Sequence, residues 1–190
     1  KNKNDKFLTE QHKLHWHSDR VSDWSKGKSI SPIYIDMGIT QTCNIHCQYC
    51  YYAVPENRTT KTITTENLIK FLKDSAEIGV KAIGFLGDGE PIIHPGCYDA
   101  VIAGADAGLD MAISTNGTIL KEKNLDKFLK SLTYIRFNIS AGNAEAYSKV
   151  MGTSSKIFNQ VVKNISKCVD MKRKLNLKTT IGMQMVLVEE

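Results

Sequence analysis

From Pro32 onward the sequence alternates between short strand-like runs and longer helix-like runs, and this alternation restricts the possible folds more than any other feature. The strand-like runs are Ile33 to Ile39, Val80 to Leu86, Leu109 to Ser114, Tyr134 to Ile139 and Thr180 to Val188. Between them, Thr64 to Ile78, Cys97 to Ala107, Leu120 to Leu132 and Phe158 to Leu175 carry helical patterning. The last repeats apolar residues at Phe158, Val161, Val162, Ile165 and Val169. Strands separated by crossover helices predict a parallel sheet and an α/β fold. Local chemistry marks the ends of the first crossover helix: Thr64 or Thr65 to cap its free amides, Glu66 in its first turn, and Gly79 where a left-handed residue closes it.

The 190 residues suffice for one ordinary core. With 42% hydrophobic and 24% charged residues the chain is neither disordered, collagenous nor a disulfide-stapled miniprotein. No repeat or linker interrupts residues 32–190, which are read as one domain preceded by an extension over residues 1–31. In that extension Phe7, Leu14, Val21 and Trp24 fall at loose helical spacing, predicting a helix packed outside the main fold. His12, His15 and His17 surround Trp16, but only the first pair shares a helix face, so they are read as a solvated face and not a metal site. Twenty-five Lys and Arg against 20 Asp and Glu leave a net charge of +5 with no basic block, little reason to expect a nucleic-acid or membrane partner. No apolar run reaches the roughly 18 residues of a membrane span, and Lys1 to Glu10 is polar and charged with no apolar h-region, so a cytoplasmic protein is expected.

Cysteines give the first chemical signal. There are five, an odd number, and Cys43, Cys47 and Cys50 crowd into eight residues directly after the first strand. Three thiols on a loop at the carboxyl end of a parallel strand lie where such sheets bind ligands, and this clustering suits metal ligation better than a disulfide framework. Thiolates select zinc or iron–sulfur centres. A four-iron cluster held by three cysteines keeps one iron free of protein ligands and open to a small molecule. The competing readings are a structural zinc site with His46 as fourth ligand, or three unrelated buried cysteines. Zinc sites usually pair their ligands as two knuckles, and the chain has no second pair.

Three further segments follow the next strands in order: Gly87-Asp88-Gly89-Glu90-Pro91, Ser114-Thr115-Asn116-Gly117 and Arg136-Phe137-Asn138-Ile139-Ser140. Together with the Cys-x3-Cys-x2-Cys spacing they resemble the radical S-adenosylmethionine (radical SAM) superfamily over residues 32–190. The resemblance implies a partial parallel (βα)6-type barrel, a 4Fe-4S cluster on Cys43, Cys47 and Cys50, and S-adenosyl-L-methionine bound at the open iron. Reductive cleavage of that cofactor to a 5′-deoxyadenosyl radical, which abstracts hydrogen from a substrate, is the implied reaction. It further implies that Glu90 holds the methionine ammonium. Ser114, Asn116, Asn138 and Ser140 contact the rest of the cofactor, and Tyr49, just before the third cysteine, belongs to the adenine-binding turn. Alternation puts Arg136, Asn138 and Ser140 on one strand face. Asp88 departs from the family's Gly-Gly-Glu-Pro, and Met151-Gly152 stands where many relatives carry Arg-Gly.

An external one-electron donor such as flavodoxin or ferredoxin is implied as partner. The motif details look most like the branch with peptide-modifying, molybdopterin-forming and sulfatase-maturing members; a peptide, small-molecule, sugar or RNA substrate stays open. The alternative function is a non-catalytic iron–sulfur or zinc module in electron transfer or assembly. Cys97 and Cys168 are read as small buried hydrophobes. Met183 and Met185 are expected to pack against helices, which would turn Gln184 toward the barrel interior. The family core has six strand–helix units and five are counted here, so a barrel truncated after its fifth strand is expected, with the remainder beyond residue 190.

Overall fold

The computed structural model describes residues 13–53 and 59–188; His12, Phe7 and the polar stretch at the start of the chain lie outside them. The described residues form two compact units that divide after Pro32. The first holds a short 3-10 turn, Lys13–His17, running into α1, Ser18–Ser25. There the Arg20 guanidinium donates to the carbonyl of Pro32 at 3.2 Å, and the His15 and Trp16 rings meet edge to face.

The second unit is the sheet predicted by the alternation. Strands β1 (Tyr34–Met37), β2 (Ala82–Phe85), β3 (Asp110–Thr115), β4 (Leu132–Asn138) and β5 (Thr180–Gln184) lie side by side in chain order. Every neighbouring pair is parallel. Consecutive parallel strands joined by helical crossovers are the connectivity of a partial (βα) barrel, and they bring all the strand carboxyl ends to one rim. The crossovers are α2 (Thr65–Glu77), α3 (Cys97–Asp106), α4 (Leu125–Ser131) and, between β4 and β5, the pair α5 (Ala144–Met151) and α6 (Lys156–Lys174).

Local chemistry sets the helix ends. The Thr64 hydroxyl accepts from the amide of Asn67 at 3.2 Å, capping α2, and Gly79 follows the helix with φ +93°. Leu68, Leu72 and Ser75 recur at helical spacing along its buried face. Leu68 and Leu72 join Ile83, Phe85, Met111, Ile113, Ile135 and Phe137 of the sheet in the main core. Tyr98 of α3 stacks on Phe128 of α4, with ring centroids 3.8 Å apart.

Several features depart from expectation. The helix expected over Leu120 to Leu132 is confined to Leu125–Ser131, and the strand expected to run to Val188 ends at Gln184. Helix α5 was not anticipated, although Asn143, whose side chain accepts from the amide of Ala146 at 2.9 Å, and Glu145 in the first turn are ordinary start signals. Met183 and Met185 are not covered by helices: Met183 is 68% exposed, because among the described residues β5 pairs with β4 alone.

A second, smaller apolar cluster sits apart from the main core. Ile45, Ile139, Ala141, Tyr147, Met151 and Val161 form it, and Cys43 and Cys47 pack against it. The main core holds the sheet to its helices, whereas this cluster is a floor for the cysteine loop.

Candidate functional site

The rim at the carboxyl ends of the strands gathers nearly every residue that the sequence singled out. Cys43, Cys47 and Cys50, all partly buried free thiols, border one cavity of about 200 Å³ together with Thr42, Gly89 and His46. Among the described residues no three ligating side chains are already drawn together as a metal site. Burial pushes the Cys47 thiol up to about 11, against a downward pull from the Tyr49 hydroxyl. Burial also raises Cys43, with the backbone N–H of Ile45 pulling down. Burial disfavours the thiolate that metal binding needs, and a bound metal supplies the compensating positive charge. Three cysteines on one cavity wall therefore fit an iron–sulfur cluster. With His46 beside them, the wall residues by themselves fit zinc as well.

Contacts at its entry, middle and exit hold the cysteine loop in place. At its entry, the amide of Glu90 donates to the carbonyl of Thr42 at 2.8 Å. Gly89 makes this approach possible: its φ is +67°, and a Cβ there would lie 2.3 Å from the carbonyl oxygen of Thr40. In the middle, the amide of Gln48 donates to the carbonyl of Val150 at 2.9 Å. Gly152, at the end of α5, lies directly against the backbone of His46. At the exit, the Tyr52 hydroxyl donates to Asp88 at 2.7 Å and accepts from the Gln41 side chain. Asp88, the departure from the family's glycine, thus anchors the segment that follows Cys50.

Glu90 is 2% exposed and ties β2 to β3. Its Oε1 accepts from the amide of Ile92 at 3.1 Å and from the Thr115 hydroxyl at 2.7 Å, and its Oε2 accepts from the amide of Asn116 at 2.6 Å. Burial raises its pKa while all three donors oppose the rise. A glutamine at this position keeps one carbonyl oxygen and turns an NH2 toward groups that themselves donate. Glu90→Gln is therefore expected to cost about 1–3 kcal/mol for each donor left buried and unpaired, and to lower the Tm by several degrees. Thermal unfolding checks this; a variant melting with the native chain would mean that the three bonds contribute nothing net.

The polar strand-end residues divide into two groups. Ser114 of β3 accepts from Arg136 Nε and from Asn138 Nδ2, both at 3.1 Å, so Arg136 and Asn138 converge on it from β4. Ser140, beyond the end of β4, bonds instead with the Tyr49 hydroxyl at 2.9 Å and accepts from the amide of Val186 at 3.1 Å. Tyr49 also reaches the Met151 sulfur at 3.4 Å, and burial pushes its phenol up to about 12. Asn116 belongs to the cysteine loop's surroundings: its side chain donates to Asn44 at 2.9 Å and to Cys43 Sγ at 3.9 Å. Gln184 is exposed at the end of β5. Cys97 and Cys168 are fully buried in the main core, away from the cavity.

Sequence reasoning did not single out Asn44, Thr118, Tyr52 or Gly152 as parts of this site. Asn44 and Tyr52 flank the cysteines and Thr118 follows the Thr-Asn-Gly turn, so their places were a visible signal. The contact between Gly152 and His46 spans more than a hundred residues and left no local trace.

The sequence model of the radical SAM superfamily matches residues 37–189. A GTP 3′,8-cyclase of Helicobacter pylori is 29% identical over 153 residues, spanning 78% of this chain and 46% of that protein. An AdoMet-dependent heme synthase of Methanosarcina barkeri is 30% identical over 123 residues, or 64% of this chain and 35% of that protein. The chain thus spans less than half the length of these curated relatives. Among solved structures, Streptococcus suis SuiB bound to S-adenosylmethionine superposes with a TM-score of 0.70 at 17% identity, covering 93% of this chain and 39% of that one. AnSMEcpe with bound AdoMet gives 0.55 at 19% identity, over 78% of this chain and 43% of that one. At such identities these likenesses speak for the fold.

Proposed function

The chain belongs to the radical SAM superfamily, and from that premise we propose that its β-sheet unit is the core of an enzyme that cleaves S-adenosyl-L-methionine at a 4Fe-4S cluster. A bound cluster and cofactor supply one-electron cleavage of the sulfonium and hydrogen abstraction from a substrate. Cys43, Cys47 and Cys50 are the residues to hold the cluster. The observation that carries this reading is their place on one cavity wall together with Gly87 and Gly89 of the turn after β2, with Asn116 of the turn after β3 reaching Cys43. Family membership favours iron over zinc, since the wall residues fit both.

The chain's own contribution is binding, orientation and exclusion of water. Glu90 is the residue assigned to the methionine ammonium: three of the four acceptor positions of its carboxylate are engaged, leaving one on Oε2. Asn138 and Ser140 keep hydrogen-bonding capacity for the cofactor's carboxylate and ribose, with Ser114 and Arg136 fixing Asn138 in place. Tyr49 bonds with Ser140 and Asn116 reaches Cys43, so both lie beside residues assigned to the cofactor and the cluster. An external one-electron donor of flavodoxin or ferredoxin type is required. Among the described residues no helix is long and apolar enough to cross a membrane. Relatives as different as a cyclase and a heme synthase share this sequence core, so substrate choice lies in side chains and segments that vary around it.

Anaerobic reconstitution with iron and sulfide is expected to load about four irons per chain. Reduction in the presence of S-adenosylmethionine should then release 5′-deoxyadenosine. Uptake of zinc without iron, or a reducible cluster with no cofactor cleavage, would overturn the enzyme reading.

A further inference from the structure

The amide of Asn116 is fixed in orientation by its surroundings. Its Oδ1 accepts from the backbone N–H of Thr118 at 3.0 Å, a donor that admits only an oxygen opposite it. Oδ1 also accepts from the Thr118 hydroxyl at 2.8 Å; that hydroxyl accepts from Asn44 Nδ2 at 2.7 Å, and Asn44 Oδ1 accepts from Asn116 Nδ2 at 2.9 Å. Three side chains therefore close a ring in which each link joins a donor to an acceptor. The remaining N–H of Asn116 faces Cys43 Sγ, 3.9 Å away. All four hydrogen-bonding positions of the Asn116 amide are thereby used, and its backbone N–H goes to Glu90. Asn116 is 6% exposed, so water competes little for its own contacts, whereas the Asn44–Thr118 link is exposed.

We propose that Asn116 is a positioning residue for the metal centre: the ring with Asn44 and Thr118 clamps the start of the cysteine loop, and Asn116 Nδ2–H donates to Cys43 Sγ, raising the cluster's reduction potential. The inference rests on the cluster assignment above. Hydrogen bonds to cluster sulfurs stabilise the more negative reduced state, and groups that orient the ligands tune a metal centre nearly as much as the ligands do. The cysteines then differ: among the described side chains, Cys43 meets an amide N–H, whereas Cys47 Sγ lies beside the Tyr49 hydroxyl and the thioether of Met151, the latter 3.9 Å away.

Two variants separate the bond from the scaffold. Asn116→Ser keeps a side-chain oxygen able to accept from the Thr118 amide but has no N–H that reaches Cys43. Thr118→Val opens the ring yet leaves the Thr118 backbone to hold Asn116. Each chain is reconstituted anaerobically, its iron and sulfide counted, and its midpoint potential read by electron paramagnetic resonance. Asn116→Ser is expected to shift the potential to a more negative value at native iron content, while Thr118→Val, which keeps the N–H on Cys43, shifts it by less. An Asn116→Ser potential equal to that of the native chain, or equal shifts in both variants, would overturn the proposal. Should Asn116→Ser take up no iron, the native chain decides. With asparagine labelled by 15N at the side-chain amide alone, pulsed resonance of the reduced cluster is expected to show a 15N coupling, and its absence overturns the proposal. A native chain that binds no iron refutes the cluster assignment itself, whereas a native cluster with no effect at Asn116 refutes this inference alone.

Discussion

A Cys47→Ala chain reconstituted without oxygen is expected to bind almost no iron, whereas Cys168→Ala is expected to bind as much as the native protein. The two residues share a side chain and differ in surroundings. Cys47 borders the cavity at the sheet rim, packed against Met151 and within reach of the other two loop thiols' fields. Cys168 is 0% exposed on α6, enclosed in the main core. A four-iron cluster on three thiolates has no protein ligand in reserve, so removing one leaves two thiolates to hold it. Removing the sulfur of Cys168 costs about 1 kcal/mol of packing and no ligand. Iron and sulfide analysis with the visible absorption spectrum decides the matter; equal iron loss in both variants would refute the ligand assignment.

The second large effect is expected at Gly152. Its φ is +58°, and a Cβ would lie 2.0 Å from the carbonyl oxygen of His46 and 2.6 Å from the carbonyl carbon. Both are backbone atoms in the middle of the cysteine loop, so relief requires the loop to retreat by about an ångström or more. The left-handed conformation adds about 1–2 kcal/mol for any residue with a Cβ. Gly152→Ala is therefore expected to lower stability by more than about 3 kcal/mol and to reduce cluster loading, although it changes no ligand. Gly108→Ala supplies the control: φ there is +94°, but nothing lies within 4 Å of the added carbon. That variant pays the conformational cost alone and should keep its iron. If Gly152→Ala matched Gly108→Ala in both Tm and iron content, the steric role assigned to Gly152 would be wrong.

These expectations mark how differently parts of the protein can be read. The five strands and four of the crossover helices follow from periodicity and capping, because a parallel βα unit writes its pattern into adjacent residues. Thr64 illustrates this: its capping role depends on a neighbour three positions away. Helix α5 carried comparable signals at Asn143 and Glu145 but is short, and the run that follows into α6 obscured it. The exposure of Met183 was not legible, since alternation assigns a side chain to a face of the sheet without saying whether anything covers that face.

The candidate site divides along the same line. By itself the sequence determined the fold class, the three-thiol loop after β1 and the acidic turn after β2, since each is a matter of residue types at short spacing. Only the tertiary structure decided what those residues do to one another. It turned Glu90 into a buried tie between β2 and β3, paired Asp88 with Tyr52, and engaged the Asn116 amide with Asn44, Thr118 and Cys43. It also brought Gly152 against His46. The physical reason is that hydrogen bonds and steric contacts act over a few ångströms in space. Parallel strands collect their carboxyl ends at one rim, and residues tens to a hundred positions apart become neighbours there with no periodicity to announce it.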